Sequence, residues 1–251
     1  MEARAVLAVW RGIPLLDTGE RRQGVEYRWG HCPEPALLAK LAQQAGRETP
    51  MCGRYEIVDG KRIFVRFGVA NAAPEMLANL DVRPTQQVPV LLTDHQLQLM
   101  KWGLVPSWSR DMSVGNKMIN ARAEGIETKP SFKRPLRTQR CLLPASAFFE
   151  WQGVTKGAKT KYRIGRKDGD MFGLAGLYDV WKSPSGYEVT TCTIITCAPN
   201  ALMAPIHNRM PVILLPDDEE TWLDPDMIEV EQITSYLRPY PDELLEAVRA
   251  A

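Results

Sequence analysis

The chain has 251 residues, 45% hydrophobic and 24% charged, with a formal net charge of +1, a composition that excludes a disordered or fibrous protein and fits one large globular domain or two small ones. No apolar run approaches the roughly 18 residues of a membrane span, and "AVLAVW" near the start is too short for a signal peptide and lacks its cleavage site, so a cytoplasmic location is expected. Cys32, Cys52, Cys141, Cys192 and Cys197 show no CxxC spacing, which argues against a disulfide framework or structural zinc and predicts reduced thiols, with no metal or cofactor.

Residues 1–50 hold scattered apolar positions, paired arginines at 21–22 and one helical pattern, "PALLAKLAQQAG", ended by a glycine cap. Nothing there reads as a domain. From residue 51 onward a period of two dominates: "GRYEIV", "VPVLLT", "LQLMKWGLV", "MFGLAGLYDVW", "YEVTTCTIIT" and "MPVILL" read as short strands, and "TDHQ" and "SPSG" as the turns of two hairpins. Helical patterns are few: "APEMLANL" near 73–80, "PDDEETWL" with proline and acids in its first turn, and "PDELLEAV" near the end. The sum predicts an α+β fold, a mostly antiparallel, curved or barrel-like sheet with a few peripheral helices.

Charge is unevenly spread. Between Lys101 and Arg140 nine Lys and Arg stand against three acids, and from Asp217 to the end eleven acids stand against two arginines. A basic binding face backed by an acidic tail fits this pattern, and so do two solvated surface segments. Aromatic residues interleave with the cations at Trp102, Trp108 and Phe132. Flat side chains among cations suit single-stranded nucleic acid, since every base offers a face to stack on. Trp102 alternates within a strand and fits a core position; Trp108, between serines and after a proline, does not.

Several residues have the chemistry of a site. Met51 is followed at once by Cys52 in "TPMCGRYEIV", which reads like the beginning of a protein placed fifty residues inside one. Were Cys52 terminal, its α-amine (pKa about 8) and thiol (pKa about 8.5) would form a 1,2-aminothiol. Such a pair captures an aldehyde, the amine as an imine and the thiol by closing a five-membered thiazolidine. Otherwise Cys52 is a small core residue. His207, in the loop "APIHNRMPVIL", is the histidine best placed to shuttle a proton. Glu150 closes the apolar "LLPASAFFEW"; held in an apolar pocket, its pKa should rise into the range of general acid and base work. Asn120 and Arg122 in "INARAEG" project from one face if that segment is extended.

The ordered set "MCGRY", "RPTQ", "WGLVPSW", "INARAE", "FFEW" and "IHNRMPVIL" closely resembles the SRAP family, the SOS-response-associated peptidases or abasic-site processing proteins. The resemblance implies one SRAP domain over 51–237, preceded by a leader at 1–50 that is misannotated or removed and followed by a helical tail at 238–251. It implies a monomer that binds single-stranded DNA containing abasic sites and traps the ring-opened aldehyde as a thiazolidine on Cys52, with lyase and self-processing activity. In that scheme Asn120 orients the cysteine and sugar, Glu150 assists ring opening, and His207 serves lyase chemistry and crosslink reversal. Arg54, Arg122 and Arg209 hold phosphates and Trp108 packs on the DNA. Many family members carry a second aromatic where Ser109 stands. Two other readings fit the same residues: an amidohydrolase or peptidase with an N-terminal cysteine nucleophile, and a non-catalytic single-strand binding module.

Overall fold

Short runs rich in β-branched and aromatic residues give twelve strands among the residues that the computed structural model describes, 53–71, 78–153 and 159–250. In chain order they are β1 (Tyr55–Ile57), β2 (Asn79–Val82), β3 (Gln87–Leu91), β4 (Leu97–Trp102), β5 (Asn120–Arg122) and β6 (Arg140–Ala145). Then follow β7 (Ala147–Gln152), β8 (Thr160–Arg166), β9 (Phe172–Lys182), β10 (Glu188–Cys197), β11 (Met210–Pro211) and β12 (Leu245–Arg249). Four short helices accompany them: α1 (Arg62–Arg66), α2 (Pro135–Thr138), α3 (Pro216–Leu223) and α4 (Val230–Ser235). No helix among the described residues is long and apolar enough to cross a membrane.

Strand β10 organises the larger sheet. It pairs antiparallel with β9 across the "SPSG" hairpin, and the order continues from β9 through β6 and β3 to β4. β4 then returns to the other edge of β10 in a parallel ladder, Thr191 opposite Lys101. Five strands therefore close into a barrel around Val88, Met100, Trp102, Leu143 and Ile194. Where β4 ends, β5 takes its place on the edge of β10, with Ile194 opposite Asn120 and Thr196 opposite Arg122. Residues 103–119 are thus an excursion that leaves and rejoins one edge, and its two ends meet at Gly103. That residue has φ +128°, and a Cβ there would lie 2.6 Å from Gly115 O, so only glycine fits.

The second sheet runs β12-β8-β7-β1-β2, antiparallel throughout. The chain passes from barrel to sheet at Ser146, whose N donates to Glu56 O at 2.8 Å while its Oγ accepts from Val58 N at 3.0 Å. Tyr55 packs against Trp102, ring centroids 5.4 Å apart, and so joins the sheet to the barrel core. "PDDEETWL" is α3, with Pro216 in its first turn and Asp217, Asp218 and Glu219 at its positive end.

The helical tail expected at 238–251 is not helical. A 3-10 turn at Asp242–Leu244 leads into β12, where Leu245 is buried and Glu246 and Val248 are exposed. "LLEAVR" has helix-forming residues, but the free edge of β8 accepts it from Leu245↔Arg166 to Arg249↔Tyr162, and the ladder satisfies both backbones. The helix read near 73–80 is likewise corrected at its end, because Asn79–Val82 is a strand; residues 72–77 lie outside the described residues, as do 1–50 with their helical pattern. Buried Arg140 also departs from its place in the basic stretch. Its guanidinium donates to the carbonyls of Leu136, Arg137, Trp222 and Asp224 at the ends of α2 and α3, 2.5–3.0 Å away.

Gly176 of β9 is squeezed between β6 and β10: a Cβ would meet Leu143 Cδ1, Thr193 O at 2.9 Å and Cys141 Sγ at 3.1 Å. Leu143 can turn away, but the Thr193 carbonyl belongs to a ladder. Gly176→Ala is therefore expected to destabilise the fold by about 1–3 kcal/mol, read as a lower urea midpoint with an unchanged slope; a loss under about 0.5 kcal/mol, the range of neutral surface changes, contradicts this packing.

Candidate active site

The carboxylate of Glu150 stands where the alternation of β7 puts it. Phe148 and Glu150 share the inward face, and Glu150 is only 3% exposed. Phe149 and Trp151 take the outward face, where Lys161 Nζ lies 4.4 Å from the Phe149 ring and Arg54 lies 5.6 Å from the Trp151 ring. β1 pairs with β7 through Tyr55↔Phe148, and Phe149 N donates to Arg54 O at 2.9 Å. Continuing that register sets Gly53 level with Glu150. Cys52, the residue before it, lies outside the described residues.

The guanidinium of Arg54 grips Asp81 with both ends, at 2.6 Å each, and Asp81 also takes Arg83. Arg54 first and Arg83 second hold the Asp81 carboxyl well below the usual carboxylate range. In β5 the buried Ala121 lies between a half-buried Asn120 and an exposed Arg122, so the two polar residues do share a face.

His207 ends a coiled turn that starts at Asn200, whose side chain accepts Met203 N at 2.9 Å. His207 N donates to Met203 O at 2.8 Å. Its Nδ1 accepts Arg209 N at 3.2 Å, and since that partner can only donate, the proton of the neutral ring belongs on Nε2. Gln152 Nε2 donates to Pro205 O at 2.8 Å. This bond ties the end of β7, two residues past Glu150, to the turn two residues before His207.

Arg209 is engaged on two sides. Nη1 and Nη2 clasp Glu124 at 2.5 and 2.7 Å, and Nη2 also reaches Thr196 O at 2.6 Å, the carbonyl that accepts Ala123 N. The Arg209 hydrogen bonds lower the pKa of Glu124. The Arg54 entrance to β1, β5, the end of β7 and the 200–209 turn are thereby linked into one neighbourhood. Trp108 is not gathered with them. Its loop is anchored through Val105 N on Thr191 Oγ1, five positions before Thr196 and so roughly 17 Å back along β10. There Trp108 is 64% exposed, whereas Trp102 is fully buried.

The described cysteines offer no rival nucleophile. Cys141, Cys192 and Cys197 are free and buried. Burial pushes all three thiols up, that of Cys197 to about 12, which leaves almost no thiolate at neutral pH. Asp81, Glu124 and Gln152 escaped the sequence reading. Glu124 alone lay within a motif already singled out, in the turn just after β5 ends at Arg122.

Comparison with known proteins places these features. The description SOS response associated peptidase (SRAP) matches residues 51–251, taking in the tail that ends in β12. The abasic site processing protein YoqW of Bacillus subtilis (strain 168) is 39% identical over 207 residues, covering 80% of this chain and 92% of its own. YoaM of the same organism, also called an abasic site processing protein, is 40% identical over 207 residues, 80% of this chain and 91% of its own. A crystal structure of a protein from Bacteroides thetaiotaomicron superposes with a TM-score of 0.75 at 30% identity, covering 80% of this chain and 92% of that one. With four-fifths of its length shared at this identity and its barrel and sheet shared in space, the chain belongs to the SOS response associated peptidase (SRAP) family.

Proposed function

We propose that this chain processes abasic sites in single-stranded DNA by trapping the lesion's aldehyde as a thiazolidine on Cys52. The observation that carries the reading is the placement of Glu150: a carboxylate only 3% exposed, on the inward face of β7 and level with Gly53 in the register of β1. A residue bonded to Gly53 has its Cα about 3.8 Å further on, within reach of one substrate for both groups. The names of the curated relatives, abasic site processing proteins, support the substrate class.

The chemistry balances with one water lost. An abasic sugar is largely a closed hemiacetal; Glu150 accepts the proton of its C1′ hydroxyl and delivers it to the ring oxygen, and the ring opens to an aldehyde. The α-amine of Cys52 adds to that carbon, water leaves, and the thiol adds across the resulting imine with its proton passing to nitrogen. Asn120, half-buried beside Ile194 of β10, orients the sugar. Arg122 flanks it with positive charge, while Arg54, gripped by Asp81, and Arg209, clasped by Glu124, contribute less to phosphate binding. His207 serves the slower branch, in which water takes a C2′ proton from the imine and the departing 3′ phosphate receives the proton that His207 carries on Nε2. A free α-amine on Cys52 requires a chain without residues 1–50 and Met51, so self-processing or a later start belongs to the same reading.

The test is intact mass spectrometry of protein beginning at Cys52 after incubation with abasic single-stranded DNA. A heat-stable product at the summed masses less one water is expected. Absence of that product from protein shown to begin at Cys52 sinks the reading.

A further inference from the structure

Trp108 is exposed but not loose. It occupies the turn closed by Ser109 N donating to Pro106 O at 2.8 Å, and the turn is bolted to the barrel wall at three points. Val105 N donates to Thr191 Oγ1 at 2.8 Å, Ser107 N to Asp179 Oδ2 at 2.8 Å, and Trp181 Nε1 to Ser109 O at 2.7 Å. A large apolar side chain on a fixed backbone has part of its conformational entropy already spent, which favours stacking on a flat ligand.

Asp179 does more than hold this turn. It is 2% exposed, and its second oxygen, Oδ1, accepts Arg134 Nη2 at 2.7 Å and Val180 N at 2.9 Å. Arg134 Nη2 also approaches Ser107 Oγ at 3.5 Å. One buried carboxylate thus fixes the backbone beside Trp108 with one oxygen and a guanidinium with the other. The Arg134 side chain is 59% exposed, and among the described residues it donates only from Nη2. A guanidinium has five N–H groups in a planar fork, so Nε and Nη1 are left for an anion. An exposed indole on the residue after Ser107, and a half-used guanidinium that approaches Ser107 itself, suit a nucleotide, base on one and phosphate on the other.

We propose that Arg134, held by Asp179 as its positioning residue, completes a nucleotide platform beside the Trp108 that the family resemblance sets on the DNA, by taking a phosphate of the strand flanking the lesion. This rests on the single-strand reading above. Its anchor on β10 lies well back from Thr196, so the platform takes a nucleotide beyond the abasic sugar itself.

The test is fluorescence anisotropy of a labelled, undamaged single strand across a salt series. It uses residues 52–251, which hold every described strand and helix and lie within one compact unit. Trp108→Ala is expected to weaken binding roughly 5- to 100-fold with the salt slope retained, the behaviour of a lost stack. Arg134→Gln is expected to weaken it severalfold and to reduce the slope of log K against log salt by about 0.7, one phosphate on a single strand, and Arg134→Lys to restore that slope. Asp179→Asn should weaken binding in the parent chain but add little in the Arg134→Gln background; a purely structural role gives the same loss in both. If Asp179→Asn fails to fold, the Arg134 pair still decides. An unchanged affinity and slope in Arg134→Gln, or no binding of the undamaged strand by the parent chain, overturns the platform. The single-strand reading falls with it only if the parent chain also forms no adduct with abasic DNA.

Discussion

A chain that still carries residues 1–50 is expected to form no heat-stable adduct with abasic single-stranded DNA, whereas the same chain beginning at Cys52 forms one in full. With a residue before it, the nitrogen of Cys52 is an amide whose lone pair is delocalised into the preceding carbonyl, so it cannot add to an aldehyde. Only the thiol remains, and a thiol alone gives a hemithioacetal that reverts on dilution or heating. No other described cysteine replaces it, because Cys141, Cys192 and Cys197 are buried with raised thiol pKa values and carry no free α-amine. Cys52→Ser in the trimmed chain keeps the amine but not the sulfur, so an imine can form and no thiazolidine can close; its adduct should be lost on heating. N-terminal sequencing of the crosslinked protein is the measurement. A stable adduct on protein that retains residues 1–50 removes the thiazolidine mechanism altogether.

What the sequence displayed of this fold was what local turn chemistry and uninterrupted apolar or β-branched runs carry. The hairpins at "TDHQ" and "SPSG" were legible because their turn chemistry is local: His95 takes φ +57° and Gly186 φ +90°. β6 was not, since Pro144 interrupts its apolar run and a proline within a run argues against a strand. β12 was misread because what makes it a strand is the vacant edge of β8, which no window of sequence contains. The site divides in the same way. Residue types with special chemistry stood out, but their partners lie far along the chain: Asp81 is 27 residues from Arg54, Asp179 45 from Arg134 and Glu124 85 from Arg209. Counting charge therefore overstated the basic face between 101 and 140, where Arg140 is buried as a carbonyl clamp and Arg134 is half committed to Asp179. Trp102 and Trp108 were separable from their neighbours alone, one in an alternating strand and one after a proline, and they are 0% and 64% exposed.

Glu150→Gln is expected to slow adduct formation by about 10²- to 10⁴-fold, the worth of a positioned proton-transfer group. The substitution is close to isosteric, and Glu150 sits in the middle of the β7–β8 ladder opposite Tyr162, so strand pairing and packing should survive it. What is lost is the capacity to accept the hydroxyl proton and return it. Water cannot readily substitute, because the position is 3% exposed. The loss should therefore fall on the rate at saturating DNA and not on affinity for an undamaged strand, which depends on cations and aromatic faces elsewhere. A substrate already opened supplies the control: an oligonucleotide with an acyclic aldehyde in place of the sugar needs no ring opening, and on it the variant should recover most of the parent rate. His207→Ala should show the opposite pattern, forming the adduct readily while cleaving the strand more slowly. A quenched time course separates the two. Parent-like kinetics of Glu150→Gln on the natural lesion, or an equal deficit on the acyclic aldehyde, rules out ring opening as the task of Glu150.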